Sequence, residues 1–244
     1  MTPPTPSPTS SPTSPPTSPP ALARRAGAEL VGTAFLVMAV IGSGIAAARL
    51  SPDDVGLQLL ENSIATGAVL VALILALQPV SASFNPVVTL VERGLGLLGT
   101  REALALCAAQ VAGAMAGAVL ANLMFELEAV TFSTQERAGA GVWLGEVVAT
   151  VGLVLVVFGT LRNGRTESVA LAVGGYIAAA YWFTSSTSFA NPAVTVARML
   201  SDTFAGIAPS SVAMFVLMQL VGGVAAFGLV RLLLPTPSTE VVDV

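Results

Sequence analysis

Ser81-Ala82-Ser83-Phe84-Asn85-Pro86-Val87-Val88-Thr89 returns in the second half of the chain as Ser186-Thr187-Ser188-Phe189-Ala190-Asn191-Pro192-Ala193-Val194-Thr195, with one residue inserted. Proline breaks a helix from within but suits its first turn, and asparagine is a preferred N-cap, so each Asn-Pro pair opens a helix. Each pair also lies late in a long charge-free run: residues 62–91 and 168–197 are 30 residues each. One membrane crossing takes about 20 residues. Each run therefore holds a full helix, a turn, and a short helix opening at Asn85-Pro86-Val87 or Asn191-Pro192-Ala193. A lone Asn-Pro is common in turns. Two in matching places of a repeated apolar unit form a specific signal.

The repeat extends outward from these motifs. Residues 30–48, 103–125 and 203–230 are further charge-free runs, the last with Pro209 marking a helix start, and 138–161 is broken only by Glu146. Glu29 with Thr33 matches Glu146 with Thr150, and Gln110, Gly113 and Gly117 match Gln219, Gly222 and Ala226. Each half reads as span, span, short helix, span. Three spans is an odd number, so the second half lies upside down relative to the first. Inverted repeats with paired broken helices point to a pore or transport site near the bilayer midplane.

Composition agrees. Hydrophobic residues make up 54% and charged residues 10%, against about 25% charged in soluble domains. The chain is an integral membrane protein. It has no His, which excludes a His-based triad, metal site or proton relay. Cys107 is its one cysteine, so neither an internal disulfide nor a multi-thiolate site can form. No metal or cofactor is expected. A net charge of −4 without a basic face gives no nucleic-acid partner. No nucleophile, base and orienting group can be grouped in one pocket, so the chain is not read as an enzyme. Arg24, Arg25, Arg93, Arg101, Arg162, Arg165 and Arg231 fall on one side, and Arg49, Arg137 and Arg198 on the other. That bias places both termini in the cytoplasm, in a multi-pass protein of the inner (plasma) membrane.

Two short helices entering from opposite faces meet at the centre by their N-termini, which carry unpaired N–H groups and partial positive charge. Asn85 and Asn191 each accept a backbone hydrogen bond there and still present amide donors sideways. Such donors bind the oxygen of a passing neutral molecule, while the converging positive ends repel cations.

On these residues, with the pairs Glu29/Glu146 and Gln110/Gln219, the chain resembles the aquaporin or major intrinsic protein family over about residues 26–234. The resemblance implies an all-α membrane protein with six transmembrane helices and two half-helices in two inverted repeats, about 26–125 and 138–234. It implies a homotetramer in the lipid bilayer with one pore per subunit, and it assigns Glu29 and Glu146 to holding the half-helix loops. Residues 1–25, rich in Pro, Ser and Thr, read as a disordered tail, without the charged and apolar regions of a secretory signal. Residues 235–244 read as a C-terminal tail.

The sequence departs from the family pattern in places. Val87 stands where Ala is usual, and is expected to narrow or reshape one wall. Val194 stands where most members place an Arg, and Val194-Thr195 replaces the Arg-Asp of glycerol facilitators. Matching positions give a selectivity filter of Thr66, Ala179, Ser188 and Val194, small and uncharged, which suits bulkier neutral solutes. Arg198, one turn beyond Val194, is read as capping the half-helix or snorkelling to the interface; reach into the outer vestibule is the rival. Glu92 lies seven residues after Asn85, as Arg198 does after Asn191, and marks the inner mouth. Gly113 and Gly117 are read as packing within one subunit. Trp143, Tyr181 and Trp182 are interface anchors or packing residues.

The expected function is a passive channel for small uncharged solutes: water, glycerol-like polyols and metalloid hydroxides. The Arg-less second motif is similar to a bacterial branch associated with arsenic resistance, which implies arsenite, As(OH)3, neutral at pH 7. A coupled secondary transporter is the alternative; its titrating groups would be Glu29 and Glu146.

Overall fold

The computed structural model describes residues 20–234, which contain helices and loops without strands. The helices are α1 (Leu22–Leu50), α2 (Val55–Leu77), α3 (Pro86–Gly94), α4 (Thr100–Met124), α5 (Ala140–Arg162), α6 (Val169–Phe183), α7 (Pro192–Arg198) and α8 (Pro209–Leu233), with a 3-10 turn, Thr166–Ser168, before α6. Helices α1, α2, α4, α5 and α8 are long and apolar enough to cross a membrane. Helix α6 is 15 residues, about 22 Å at 1.5 Å per residue, and the 3-10 turn lengthens it to complete the sixth crossing. Pro86, Pro192 and Pro209 each begin a helix, as the sequence reading expects.

Helix α1 begins at Leu22, so residues 22–25 are not part of a disordered tail. Ala and Arg are strong helix formers, and Arg25 bonds Glu102 of α4 at 3.2 Å. The remainder of the expected tails, 1–19 and 235–244, lies outside the described residues.

The two repeats pack by one device. A side chain at Gly113 or Gly117 of α4 would strike the carbonyls of Leu30 or Ala34 on α1. In the second repeat, a Cβ at Gly222 of α8 would sit 2.9 Å from both Thr150 Cβ and Val147 O of α5. Across the repeats, a Cβ at Gly67 of α2 would lie 2.8 Å from Gly174 O of α6. The small residues thus serve close approach inside one chain.

The ends of the bundle follow from its hydrogen bonds. Arg25 ties the start of α1 to α4, Arg93 Nε donates to Thr100 Oγ1, and Arg162 NH1 donates to Val230 O and Leu234 O near the end of α8. A Cβ at Gly94, the last residue of α3, would sit 3.1 Å from the Phe227 ring of α8, so the start of α1 and the end of α8 share one face, called here the terminal face. On the far face, Arg49 bonds Phe125 O, and the 125–139 connection bonds the segment after α7 at Leu200 O, Met199 O and Asp202. Polarity is inverted relative to a soluble domain. Leu104, Leu144, Leu171 and Val224 are exposed, while Glu29, Gln110, Glu146 and Gln219 are fully buried, as befits a body surrounded by hydrocarbon.

Candidate functional site

The site is built from the two buried carboxylates. Glu29 accepts from Ser81 Oγ, from the backbone N–H groups of Ser83 (2.9 Å) and Phe84 (2.7 Å), and from Gln110 Nε2 (2.8 Å). Glu146 repeats this with Phe189 N and Ala190 N, both at 2.9 Å, and Gln219 Nε2 at 2.6 Å. Each glutamine also donates to a half-helix threonine: Gln110 to Thr89 and Gln219 to Thr195. These bonds grip the residues just before each Asn, where Phe84, Thr187, Ser188 and Ala190 all have φ between 48° and 61°. Such left-handed backbone is costly for non-glycine residues and persists where its surroundings fix it.

So held, the loops deliver the two asparagines to each other. Asn85 Oδ1 caps α3 by accepting from Val87 N at 3.0 Å, and its Nδ2 donates to Ala190 O at 2.7 Å. Asn191 Oδ1 caps α7 from Ala193 N at 3.0 Å and Val194 N at 3.3 Å, and its Nδ2 donates to Phe84 O at 2.7 Å. The exchange is reciprocal. Each amide keeps its second N–H, and both asparagines line a cavity of about 320 Å³ that runs past both half-helix caps.

Thr66, Ser188 and Val194 line this cavity, together with apolar residues that include Leu70, Val88 and Ile177. Ser188 Oγ has no hydrogen-bond partner among the described residues. Ala179 does not join them: it is exposed on the outer side of α6, and Ile177 and Tyr181 face the cavity instead. Residues 177 and 181 share a helix face, and 179 points nearly opposite. Tyr181 OH lies 3.2 Å from Thr66 Oγ1, so the span-five group is an aromatic hydroxyl rather than a methyl. Val87 is likewise turned away. It packs on α8, where a Cβ at Gly223 would sit 2.6 Å from Val87 Cγ1, and Val88 forms the wall. Pro86, Pro192 and Ala193 are buried beside the caps without lining the cavity.

Arg198 neither caps α7 nor reaches the interface. It is 2% exposed and lines the far mouth. Its Nε donates to Ala205 O, and the guanidinium lies 3.4 Å from the Phe189 ring centroid. Arg137 stacks on the same ring at 5.1 Å and donates to Gly206 O at 2.9 Å and Phe204 O at 3.4 Å. At the terminal mouth stands Glu92, which accepts from Ser83 Oγ at 3.2 and 3.3 Å. Sequence reasoning missed Phe189 and Arg137. The match of Phe84 with Phe189 across the repeat was the available signal for the first. Of the undecided aromatics, Tyr181 lines the cavity, Trp182 donates to Ser63 Oγ at 3.2 Å, and Trp143 packs beside Phe189 and Phe215.

A family model described as major intrinsic protein matches residues 17–180 and 162–242. The chain is 51% identical over 214 residues to aquaglyceroporin AqpS of Rhizobium meliloti (strain 1021), covering 87% of this chain and 91% of that protein. It is 35% identical over 159 residues to the lens fiber major intrinsic protein of Oryctolagus cuniculus, covering 60% of this chain and 57% of that one. The X-ray structure of the aquaglyceroporin from Plasmodium falciparum has the same fold, with a TM-score of 0.66 over 87% of this chain and 97% of that chain at 16% identity.

Proposed function

Because the chain belongs to the major intrinsic protein family, we propose that it is a passive channel for small uncharged solutes: water, glycerol-like polyols, and metalloid hydroxides such as arsenite. The observation that carries this reading is the single cavity lined by both Asn85 and Asn191. A solute in it passes a donor from each cap asparagine and the hydroxyls of Thr66, Ser188 and Tyr181, alongside the apolar side chains of Leu70, Val88 and Ile177. The few polar groups fix a solute's orientation, and the apolar ones keep it from binding too firmly to leave. Val194 adds no charge at the place where the family usually carries Arg, which favours solutes larger than water.

Glu29 and Glu146, already engaged by backbone and glutamine donors, serve as loop holders rather than as carriers of coupled protons. The protein works without a cofactor, as a homotetramer in the inner membrane with both termini cytoplasmic; the terminal face is then the inner one.

Purified protein in proteoliposomes tests this directly. Glycerol and arsenite flux following the solute gradient, unaffected by an ionophore, is the expected result. Flux that collapses with the ionophore would favour a coupled transporter.

A further inference from the structure

Seven residues after each cap asparagine, on the last turn of its half-helix, stands a charged side chain: Glu92 on α3 and Arg198 on α7. The inverted repeat sends these two to opposite mouths of the one cavity, and both line it. Their charges are opposite. Neither is ion-paired among the described residues, where Arg25 at the terminal mouth is held by Glu102.

Each is fixed by a different local device. Glu92 is held by Ser83, whose backbone N–H is itself gripped by Glu29. Arg198 is held by Ala205 O and by the Phe189 ring. Arg137 stiffens that support by bonding the carbonyls on either side of Ala205, those of Phe204 and Gly206. Arginine carries five N–H donors, and of these only Nε–H of Arg198 has a hydrogen-bond partner among the described residues. An ionised carboxylate accepts only, and among the described residues Glu92 receives a single hydroxyl, that of Ser83. The far mouth therefore offers unused charged donors, and the terminal mouth unused charged acceptors.

We propose that Glu92 and Arg198 are a matched pair of selectivity residues, the carboxylate barring anions and the guanidinium barring cations. A neutral hydroxylated solute meets no like charge at either end and finds an acceptor at one mouth and donors at the other. An ion of either sign, attracted at one mouth, is repelled at the other. The charge absent at Val194 is thus supplied one turn further along α7. This inference rests on the passive-channel reading.

The test uses the full-length protein in phosphatidylcholine vesicles, with glycerol, sodium and nitrate fluxes measured for each variant. The native protein is expected to pass glycerol and exclude both ions. A fixed unit charge beside a narrow, poorly solvated passage alters ion entry by an order of magnitude or more. Arg198→Gln should therefore raise sodium leak about tenfold or more, whereas Arg198→Lys should not. Glu92→Gln should raise nitrate leak by a similar factor. Arg231→Gln, on the exposed end of α8, should leave all three fluxes at native values.

Ion leaks unchanged in both Gln variants, with glycerol still passing, would overturn the inference, and a change at one mouth alone would overturn the pairing. If Arg198→Gln does not fold by gel filtration, Glu92→Gln decides the matter by itself, since unchanged nitrate exclusion refutes the pair. Native vesicles without glycerol flux would instead overturn the channel reading, before any variant is compared.

Discussion

Glu146 at zero exposure meets three donors, and two of these are backbone N–H groups that reach no other acceptor among the described residues. A buried N–H without a partner costs about 1–3 kcal/mol. Glu146→Gln keeps the shape but offers one acceptor oxygen where two were used. It should lower stability by about 2 kcal/mol or more, visible as a lower unfolding temperature in detergent. An unchanged melting temperature would mean that the 187–190 loop is held by other means. Tyr181→Phe is a milder change: it removes a hydroxyl from the cavity and its 3.2 Å contact with Thr66, leaving the ring in place. Glycerol flux should fall relative to water flux, since the larger solute relies more on lateral hydrogen bonds. A glycerol-to-water ratio equal to native would remove Tyr181 from the filter.

At the scale of elements, the helices meet where glycines leave backbone exposed to backbone. Gly113→Val on α4 would drive a branched side chain into Leu30 O of α1. The two crossings would separate, and Glu29, which sits one residue before Leu30, would lose its register with the 81–84 loop. Overpacking costs about 1–3 kcal/mol where the neighbour can shift, and more where it is backbone. The expected outcome is loss of folded protein in detergent extracts; Gly141→Val, with nothing within 4 Å of its added Cβ, should behave as native. Equal recovery of the two variants would contradict this packing.

The repeat made much of this scale legible. Asn-Pro fixes where a helix starts, and paired Glu and Gln mark positions that must face one another. Span five carries no proline or charge to fix its helical phase, so the sequence alone points to Ala179 where Tyr181 stands. Arg198 departs from its expected place for a different reason. Its direction depends on the 199–208 segment folding back to present Ala205 O, a tertiary event with no local signature. Val87 turned outward because Gly223 of α8 leaves room for it, again a partner that local pattern does not reveal.

At the scale of the whole molecule, the proposed passage is an uncharged one between two half-helices joined at their asparagines, its width set by Val194 and its neighbours. Stopped-flow light scattering on proteoliposomes, comparing water, glycerol and arsenite for the native protein and for Val194→Arg, tests it most directly. Native vesicles should pass all three solutes, and the Arg variant should retain water while losing glycerol and arsenite by about tenfold or more, a barrier change of about 1.4 kcal/mol per tenfold. Passage of water alone by both proteins would contradict the claim and move the narrowest point away from residue 194.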